Sequence, residues 1–199
     1  MRSVVGVLLA GVLLGAAVPA QAARVRSHPM LPHTADGDLA EWRGTPTNLA
    51  GRSQISRGEW IYTDFLYDDY GADLNGRPDQ PDFAGGTAAT TGDYRYPGDP
   101  DRYGYNAADL RELRVAADGR ALYLLVGLQT MQAPDAAVVT VALDTDGDAT
   151  TGPAAWPDGA GLRGAGADRF VTVTGTTGRV TDATGARRPV RVGANLREN

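Results

Sequence analysis

Side chains that could contact a sugar or a cation are concentrated in one stretch of this chain. Seven of the eight tyrosines fall between Tyr62 and Tyr105, where they are interleaved with aspartates. A tyrosine ring offers a flat apolar face with a polar tip, and carboxylate oxygens are the ligands that hard cations prefer. These residue types favour binding of a sugar face or of a hard cation, and neither needs catalytic groups.

A second signal is the sequence DTDGD, whose carboxylates occupy alternate residues, Asp144, Asp146 and Asp148. Alternate spacing in a tight loop turns carboxylates towards one centre, which suits calcium. Asp168, just before a later strand, is an additional candidate ligand. The loop is not an EF-hand, because Ala149 and Ala155 stand where that motif needs glycine and glutamate. A solvated Asp/Gly turn is the alternative interpretation.

Asp68 and Asp69 form another acidic cluster, and adjacent carboxylates are favoured where water or a cation screens them. If the loop after them folds back, Asp109 joins them, and the three residues predict a second cation site. An exposed acidic loop is the alternative. A glycosidase uses two carboxyl groups at a defined separation, but nothing in the sequence selects such a pair. We therefore expect this chain to be non-catalytic.

Three aromatic side chains in glycine- and proline-rich segments are candidates for stacking on sugar rings: Tyr94, Tyr96 and Trp156. Trp156 is predicted to be the best exposed of the tryptophans, with a buried loop anchor as its alternative role. Tyrosines also commonly pack long loops against a domain. Trp42 and Trp60 are expected in the core.

Short strands must position these residues. Alternating and apolar patterns predict strands, two of them joined by an Asp-Gly hairpin turn, at residues 58–66, 110–116, 121–129, 136–143, 169–175, 179–183 and 189–192. Without an amphipathic helix, this pattern predicts an all-β, immunoglobulin-like antiparallel β-sandwich. The segment ALYLLVGLQ, apolar at nearly every residue, is expected in the middle of a sheet.

The N-terminal residues have the layout of a secretory signal peptide, with one arginine, an apolar run from Val4 to Val18 and small residues before residue 23. We expect residues 1–22 to be this leader, 23–33 a linker and 34–199 one β-sandwich binding domain. The chain would then be secreted, with no membrane segment after cleavage. The final residues lack a terminating turn, so we expect the sandwich to need a further strand from a longer protein.

Charge and composition exclude several classes of function. The net charge is -5, which makes nucleic acid an unfavourable partner. Both histidines, His28 and His33, lie near the predicted leader, so a zinc site or histidine-based catalysis is not expected. The sequence leaves the oligomeric state open.

Three elements of the chain resemble the C-terminal binding domain of glucodextranase and its relatives. These are the Asp-Asp-x-Gly element at 68–71, the Tyr-x-Tyr-Pro element at 94–97 and the hairpin that begins at Asp109. The segments DGDLAEW at 36–42 and ALDTDGDATTG at 142–152 are similar to elements of the broader group of family 9 carbohydrate-binding modules and DOMON-like sandwiches. The resemblance implies an immunoglobulin-like sandwich, often calcium-containing, associated with extracellular polysaccharide enzymes.

These observations together predict a secreted, non-catalytic module that binds an extracellular polysaccharide, a glucan or cell-wall glycan, with calcium stiffening its loops. One alternative is a calcium-binding cell-surface attachment module that binds no sugar. Another is the N-terminal part of a larger secreted glycoside hydrolase.

Overall fold

The computed structural model describes residues 4–7, 33–66 and 109–196, the last range without positions 130, 132, 161, 163 and 165. Within these ranges the elements, in chain order, are β1 (Val4–Val7), β2 (Arg52–Ser56), β3 (Glu59–Thr63), β4 (Leu110–Ala117), β5 (Leu122–Leu128), β6 (Val138–Leu143), a 3₁₀ turn (Pro157–Gly159), β7 (Arg169–Thr174), β8 (Thr177–Asp182) and β9 (Arg187–Val190). In this described part, no helix has the length and apolar character to cross a bilayer.

The strands form two sheets, and the predicted all-β sandwich is confirmed. One sheet has the order β2-β3-β4-β5 with antiparallel neighbours throughout. The other has the order β1-β6-β7-β8-β9 and is antiparallel from β6 to β9. β1, which lies in the predicted leader, pairs with β6 in parallel.

The alternating and apolar patterns placed most strands correctly but missed β2. The sequence of β2 is RSQIS, in which only Ile55 is strongly apolar, and that side chain is 75% exposed. β2 exists because a two-residue turn reverses the chain into β3. Both turn residues, Arg57 and Gly58, have positive φ angles, of 51° and 86°, as the hairpin turns that match strand twist require.

The expectation that β5 lies in the middle of a sheet is wrong for the described part of the chain, where β5 pairs only with β4 and forms the sheet edge. Its residues are half-buried, and Leu122 is 46% exposed. The more deeply buried strand is β4, which carries charged side chains. The apolar composition of β5 therefore suggested that it would be the more deeply buried of the two strands. The opposite is found because charged side chains of β4 are neutralised by ion pairs.

Those charges form a buried ion cluster of Arg114, Glu59 and Glu112. The Arg114 guanidinium donates to Glu112 Oε2 from Nε and Nη2 at 3.1 and 3.0 Å, and Nη1 lies 3.2 Å from Glu59 Oε2. Nη1 also donates to the carbonyl of Gly44 at 2.9 Å, while Glu59 Oε1 accepts from the Gly44 amide at 2.7 Å. A Cβ on Gly44 would lie 2.7 Å from Ile61 Cδ1. The cluster thus fixes the segment before β2 onto the sheet.

The opposite ends of the described domain are also tied together. His33 is buried against the rings of Trp42 and Tyr123, with centroid distances of 4.3 and 5.6 Å. Near the C-terminal end, Asn195 Nδ2 donates to the carbonyl of Gly37 at 2.8 Å. The N-terminal segment therefore contacts both β5 and the chain that follows β9.

The core of the five-stranded sheet lies on the face that the segment between β6 and β7 covers. Phe170 of β7 is fully buried, and its ring packs against Trp156 with a centroid distance of 5.6 Å. The Trp156 indole N–H donates to the carbonyl of Gly164 at 3.0 Å. Beside Phe170, the hydroxyls of Thr140 and Thr172 share a buried hydrogen bond of 3.1 Å.

Replacing Arg114 with methionine should lower the free energy of unfolding by roughly 3–5 kcal/mol, because it leaves two buried carboxylates without their cation. Arg111→Met is the matched control. Arg111 Nη2 lies 3.9 Å from Glu112, and its side chain is 40% exposed, so its loss should cost less than about 1 kcal/mol. Urea unfolding measures both values, and equal losses would contradict the importance of the buried cluster.

Candidate cation site

The end of the β6–β7 ladder brings together two acidic residues that are far apart in sequence. Leu143 pairs with Arg169 at the last position of the ladder, so the next residue of β6 and the preceding residue of β7 are neighbours. These residues are Asp144 and Asp168. The Asp168 amide donates to the Leu143 carbonyl at 2.9 Å, which fixes this arrangement.

Three carboxylates converge at this point: Asp144, Asp146 and Asp168. One oxygen from each lies within 4.8 Å of the other two. Calcium binds oxygen ligands at about 2.3–2.6 Å, so two ligands on opposite sides of one ion are roughly 5 Å apart. The three oxygens are close enough to bind one cation together. Asp168 is buried, whereas Asp144 and Asp146 are exposed and leave one side open to water.

Backbone hydrogen bonds give the loop its shape. Asp144 Oδ1 accepts from the Gly147 amide at 2.7 Å, and Asp146 Oδ1 accepts from the Asp148 amide at 2.9 Å. The hydroxyl of Thr151 donates to the Asp146 carboxylate at 3.0 Å. These are the local turns that aspartate favours, and they also hold the carboxylates in place.

Close backbone contacts hold this loop against the chain that precedes Asp168. A Cβ on Gly152 would lie 2.1 Å from the Ala167 carbonyl oxygen, and a Cβ on Gly166 would lie 2.6 Å from the Asp148 carbonyl oxygen. Both glycines also have positive φ angles, of 83° and 66°. Other residues would push the two segments apart, so these glycines help to place Asp168 beside the loop.

Asp168 has its own hydrogen-bond partners. Its carboxylate accepts from the Thr145 hydroxyl at 2.7 Å and from the Thr145 amide at 3.2 Å. Arg169 Nη1 lies 3.5 Å from Asp168 Oδ1, with a side chain 46% exposed. The guanidinium supplies positive charge beside the cluster, and an incoming cation would have to share that carboxylate with it.

Hydrogen bonds keep the outer carboxylates of the loop ionised. The Asp148 amide, and then the Thr151 hydroxyl, lower the pKa of Asp146 below its ordinary value. The hydroxyl and amide of Thr150 lower the pKa of Asp148. A charged Asp146 is the form that can bind a cation.

The structure brings together only some of the side chains that were predicted to bind a cation. Asp168, predicted from a neighbouring segment, does join Asp144 and Asp146. Asp148 is in the same loop but is not one of the three converging residues; its Oδ1 accepts instead from Thr150. The predicted residues Asp68, Asp69, Tyr94 and Tyr96 lie outside the described part of the chain.

The structure corrects the expectation that Trp156 is an exposed ring. Trp156 is only 4% exposed and belongs to the core cluster with Phe170. Its role is the alternative one, a buried anchor for its loop. The sequence concealed this role because a glycine- and proline-rich segment is typical of exposed loops, whereas this one covers a sheet.

Asp109, also predicted as a ligand, is fully buried just before β4, and sequence reasoning missed the carboxylate beside it. That carboxylate is Asp64, which follows β3 and donates its amide to the Arg111 carbonyl at 2.9 Å. Burial raises the pKa of Asp64, and the nearby charge of Asp109 adds to the rise, against hydrogen bonds from the Phe65 amide and the Tyr62 hydroxyl. Two acidic side chains therefore flank the two ends of the 67–108 segment.

An aromatic pair on β3 is a second feature that sequence patterns did not reveal, because Trp60 was expected in the core. Trp60 and Tyr62 are both half-buried, their ring centroids are 6.4 Å apart and their planes differ by 11°. Residues two apart on a strand share a face, so the rings lie side by side. Ile55, paired with Trp60 across the hairpin and 75% exposed, extends the apolar surface.

Comparisons with known proteins give no relative for this chain: no family model, no curated protein and no solved structure matches it.

Excess calcium added after EDTA should raise the midpoint of thermal unfolding, because an ion that binds only the folded state stabilises it by mass action. At about 100 times the dissociation constant, we expect a rise of roughly 5–10 °C. Asp168→Asn should abolish the rise. Asp118→Asn is the matched control, because Asp118 shapes a similar turn through the amides of Arg120 and Ala121 in the other sheet. A full calcium response in Asp168→Asn would contradict the assignment.

Asp64→Asn should stabilise the calcium-free protein at pH 7 but not at pH 3. A carboxyl whose pKa is raised by folding costs stability when it is ionised, and that cost disappears as the pH falls below its unfolded pKa of about 3.9. Asparagine retains an oxygen that accepts from Phe65 and Tyr62. Urea unfolding in EDTA at both pH values tests this, and an equal loss of stability at both would show that the carboxylate is structurally required.

Proposed function

We propose that this chain is a secreted, non-catalytic β-sandwich module that binds a glucan or cell-wall glycan through aromatic side chains, with calcium stiffening its loops. The observation that carries the proposal is the near-parallel pair of Trp60 and Tyr62 on β3. These two adjacent, nearly parallel rings form an aromatic strip on one face of β3, and the C–H faces of pyranose rings stack on aromatic surfaces.

The position of this strip relative to the tyrosine-rich segment supports the same function. β3 leads directly into residues 67–108, which contain the proposed sugar-contacting residues Tyr94 and Tyr96. The strip and that segment are thus adjacent in the chain. We propose that rings of the segment complete the surface that β3 begins.

Calcium enters the proposal as a structural ion. Asp144, Asp146 and Asp168 would bind it, and the ion would hold the loop after β6 against the segment before β7. Its chemistry there is the neutralisation of converging carboxylates, which otherwise repel one another.

A calcium-dependent attachment module without a sugar ligand is the second candidate function. The three converging carboxylates favour it, because they need no sugar to be useful. The two functions differ in their dependence on the aromatic rings, which only glycan binding requires.

Retention on insoluble glucan in the presence of calcium tests the proposal. Trp60→Ala should weaken retention by about ten-fold, since a stacked ring contributes roughly 1.5 kcal/mol. The double variant Tyr94→Ala with Tyr96→Ala, which removes two rings, should weaken it by more than about ten-fold. Leu196→Ala, which removes an exposed apolar side chain elsewhere, should leave retention unchanged. Unchanged retention in all variants would refute the ring surface, and a wild-type protein that binds no glycan would favour the attachment function.

A further inference from the structure

A buried carboxylate in the segment that covers the five-stranded sheet holds two arginines side by side. Asp158 Oδ1 lies 2.7 Å from Arg179 Nη2 and 2.9 Å from Arg187 Nη2, and Asp158 Oδ2 accepts from Arg179 Nε at 3.0 Å. The Asp158 side chain is only 2% exposed, whereas those of Arg179 and Arg187 are 40% and 58% exposed. The carboxylate is thus covered by two guanidinium groups that still reach solvent.

The backbone at Asp158 is unusual. Its φ angle is 64°, and the only other non-glycine residue with positive φ among the described residues is Arg57, which a hairpin turn explains. A non-glycine residue in this region is strained and persists where its surroundings impose it. Here the strain places the carboxylate beneath the two arginines.

The Asp158 carboxyl group also stays ionised in this contact. Burial acts to raise the pKa of Asp158, but the hydrogen bond and charge of Arg179, the Thr172 hydroxyl and the charge of Arg187 together hold it below its ordinary value. One carboxylate therefore neutralises one of two guanidinium groups, and the three residues retain a positive charge.

The surrounding hairpin increases this positive charge. Between residues 177 and 196 the only acidic residue is Asp182, against four arginines: Arg179, Arg187, Arg188 and Arg191. Residues 177–196 thus have a net charge of +3 in a chain whose net charge is -5. Such a local excess attracts anions.

Protection of a sheet edge explains only part of this pattern. In the described part of the chain β9 is an edge strand, and charged residues or proline on an edge discourage pairing with other molecules. That role would be satisfied by arginines pointing into solvent. It does not require a buried, strained aspartate that binds two of them together.

Guanidinium groups arranged in this way suit a planar or multi-oxygen anion. Arg179 binds Asp158 through Nε and Nη2, and Arg187 binds it through Nη2. The Nη1 groups of both arginines take no part in this contact, and both side chains reach solvent. The rigid fork of arginine matches carboxylate, sulfate and phosphate oxygens. Pre-arrangement by Asp158 lowers the conformational entropy that binding would otherwise cost.

We propose that Arg179 and Arg187, positioned by Asp158, form a binding site for the anionic groups of an acidic polysaccharide. The inference rests on the proposed glycan-binding function and extends it, because it specifies a glycan that bears carboxylate or sulfate groups. Asp158 is a positioning residue in this site, and the two arginines are the binding residues.

Dextran, carboxymethyl dextran and dextran sulfate share one glucan backbone, so their affinities isolate the contribution of the anionic group. The wild-type protein should bind at least one anionic derivative more than ten-fold tighter than dextran at physiological salt, and the better derivative identifies carboxylate or sulfate as the preferred group. Equal affinity for all three would overturn the inference, while retention on neutral glucan would leave the proposed function intact.

Three variants distinguish binding by a pre-arranged arginine pair from simple charge attraction. Arg187→Gln should weaken binding of the anionic dextran at least five-fold. Arg188→Gln removes the same charge from the opposite face of β9 and should change affinity less than two-fold. Asp158→Asn adds a net positive charge, so simple attraction would tighten binding, whereas loss of the pre-arranged pair should weaken it.

Equal losses in the two arginine variants, together with tighter binding by Asp158→Asn, would overturn the site. Thermal unfolding of each variant checks that it is folded. If Asp158→Asn does not fold, the comparison of Arg187→Gln with Arg188→Gln decides alone. Binding of anionic dextran with no retention on any neutral glucan would support this site and contradict the aromatic surface.

Discussion

The four-stranded sheet depends on the balance of charge around Arg114. A buried guanidinium is costly unless carboxylates surround it, and here Glu112 comes from the same strand while Glu59 comes from the neighbouring one. Because the Gly44 backbone bonds to both Arg114 and Glu59, the cluster also attaches the chain that precedes the sheet. A group of charged residues thus attaches this segment to the sheet.

In the other sheet, one strand connects the features that matter for binding. Asp168, Phe170 and Thr172 alternate at the start of β7, so their side chains share one face. In that order they contribute to the carboxylate cluster, pack against Trp156 and contact the Asp158 carboxyl group. The covering segment between β6 and β7 is therefore attached at three successive points. β7 thereby fixes the carboxylate cluster and the Asp158 contact relative to each other.

The sequence predicted the strands with clear alternation or a defined turn, and it predicted the partnership of Asp168 with the DTDGD loop. It could not predict β2, whose formation depends on a turn and not on apolar residues. Nor could it predict that β4 is buried more deeply than β5, because that burial depends on the ion pairs of Arg114. Trp156 was misjudged because loop composition does not reveal what a loop covers. The Asp158 contact with Arg179 and Arg187 joins residues that no local pattern relates, so only the assembled sheet could show it.

The contact between Asn195 and Gly37 has a consequence for how this domain can be combined with others. This contact brings together the two ends of residues 33–196, and domains with adjacent ends tolerate circular permutation and insertion into surface loops of a host protein. New ends could be opened at the exposed turn between Asp118 and Arg120 while a short linker joins the old ones. The domain can therefore be displayed from a loop of another protein without being pulled apart.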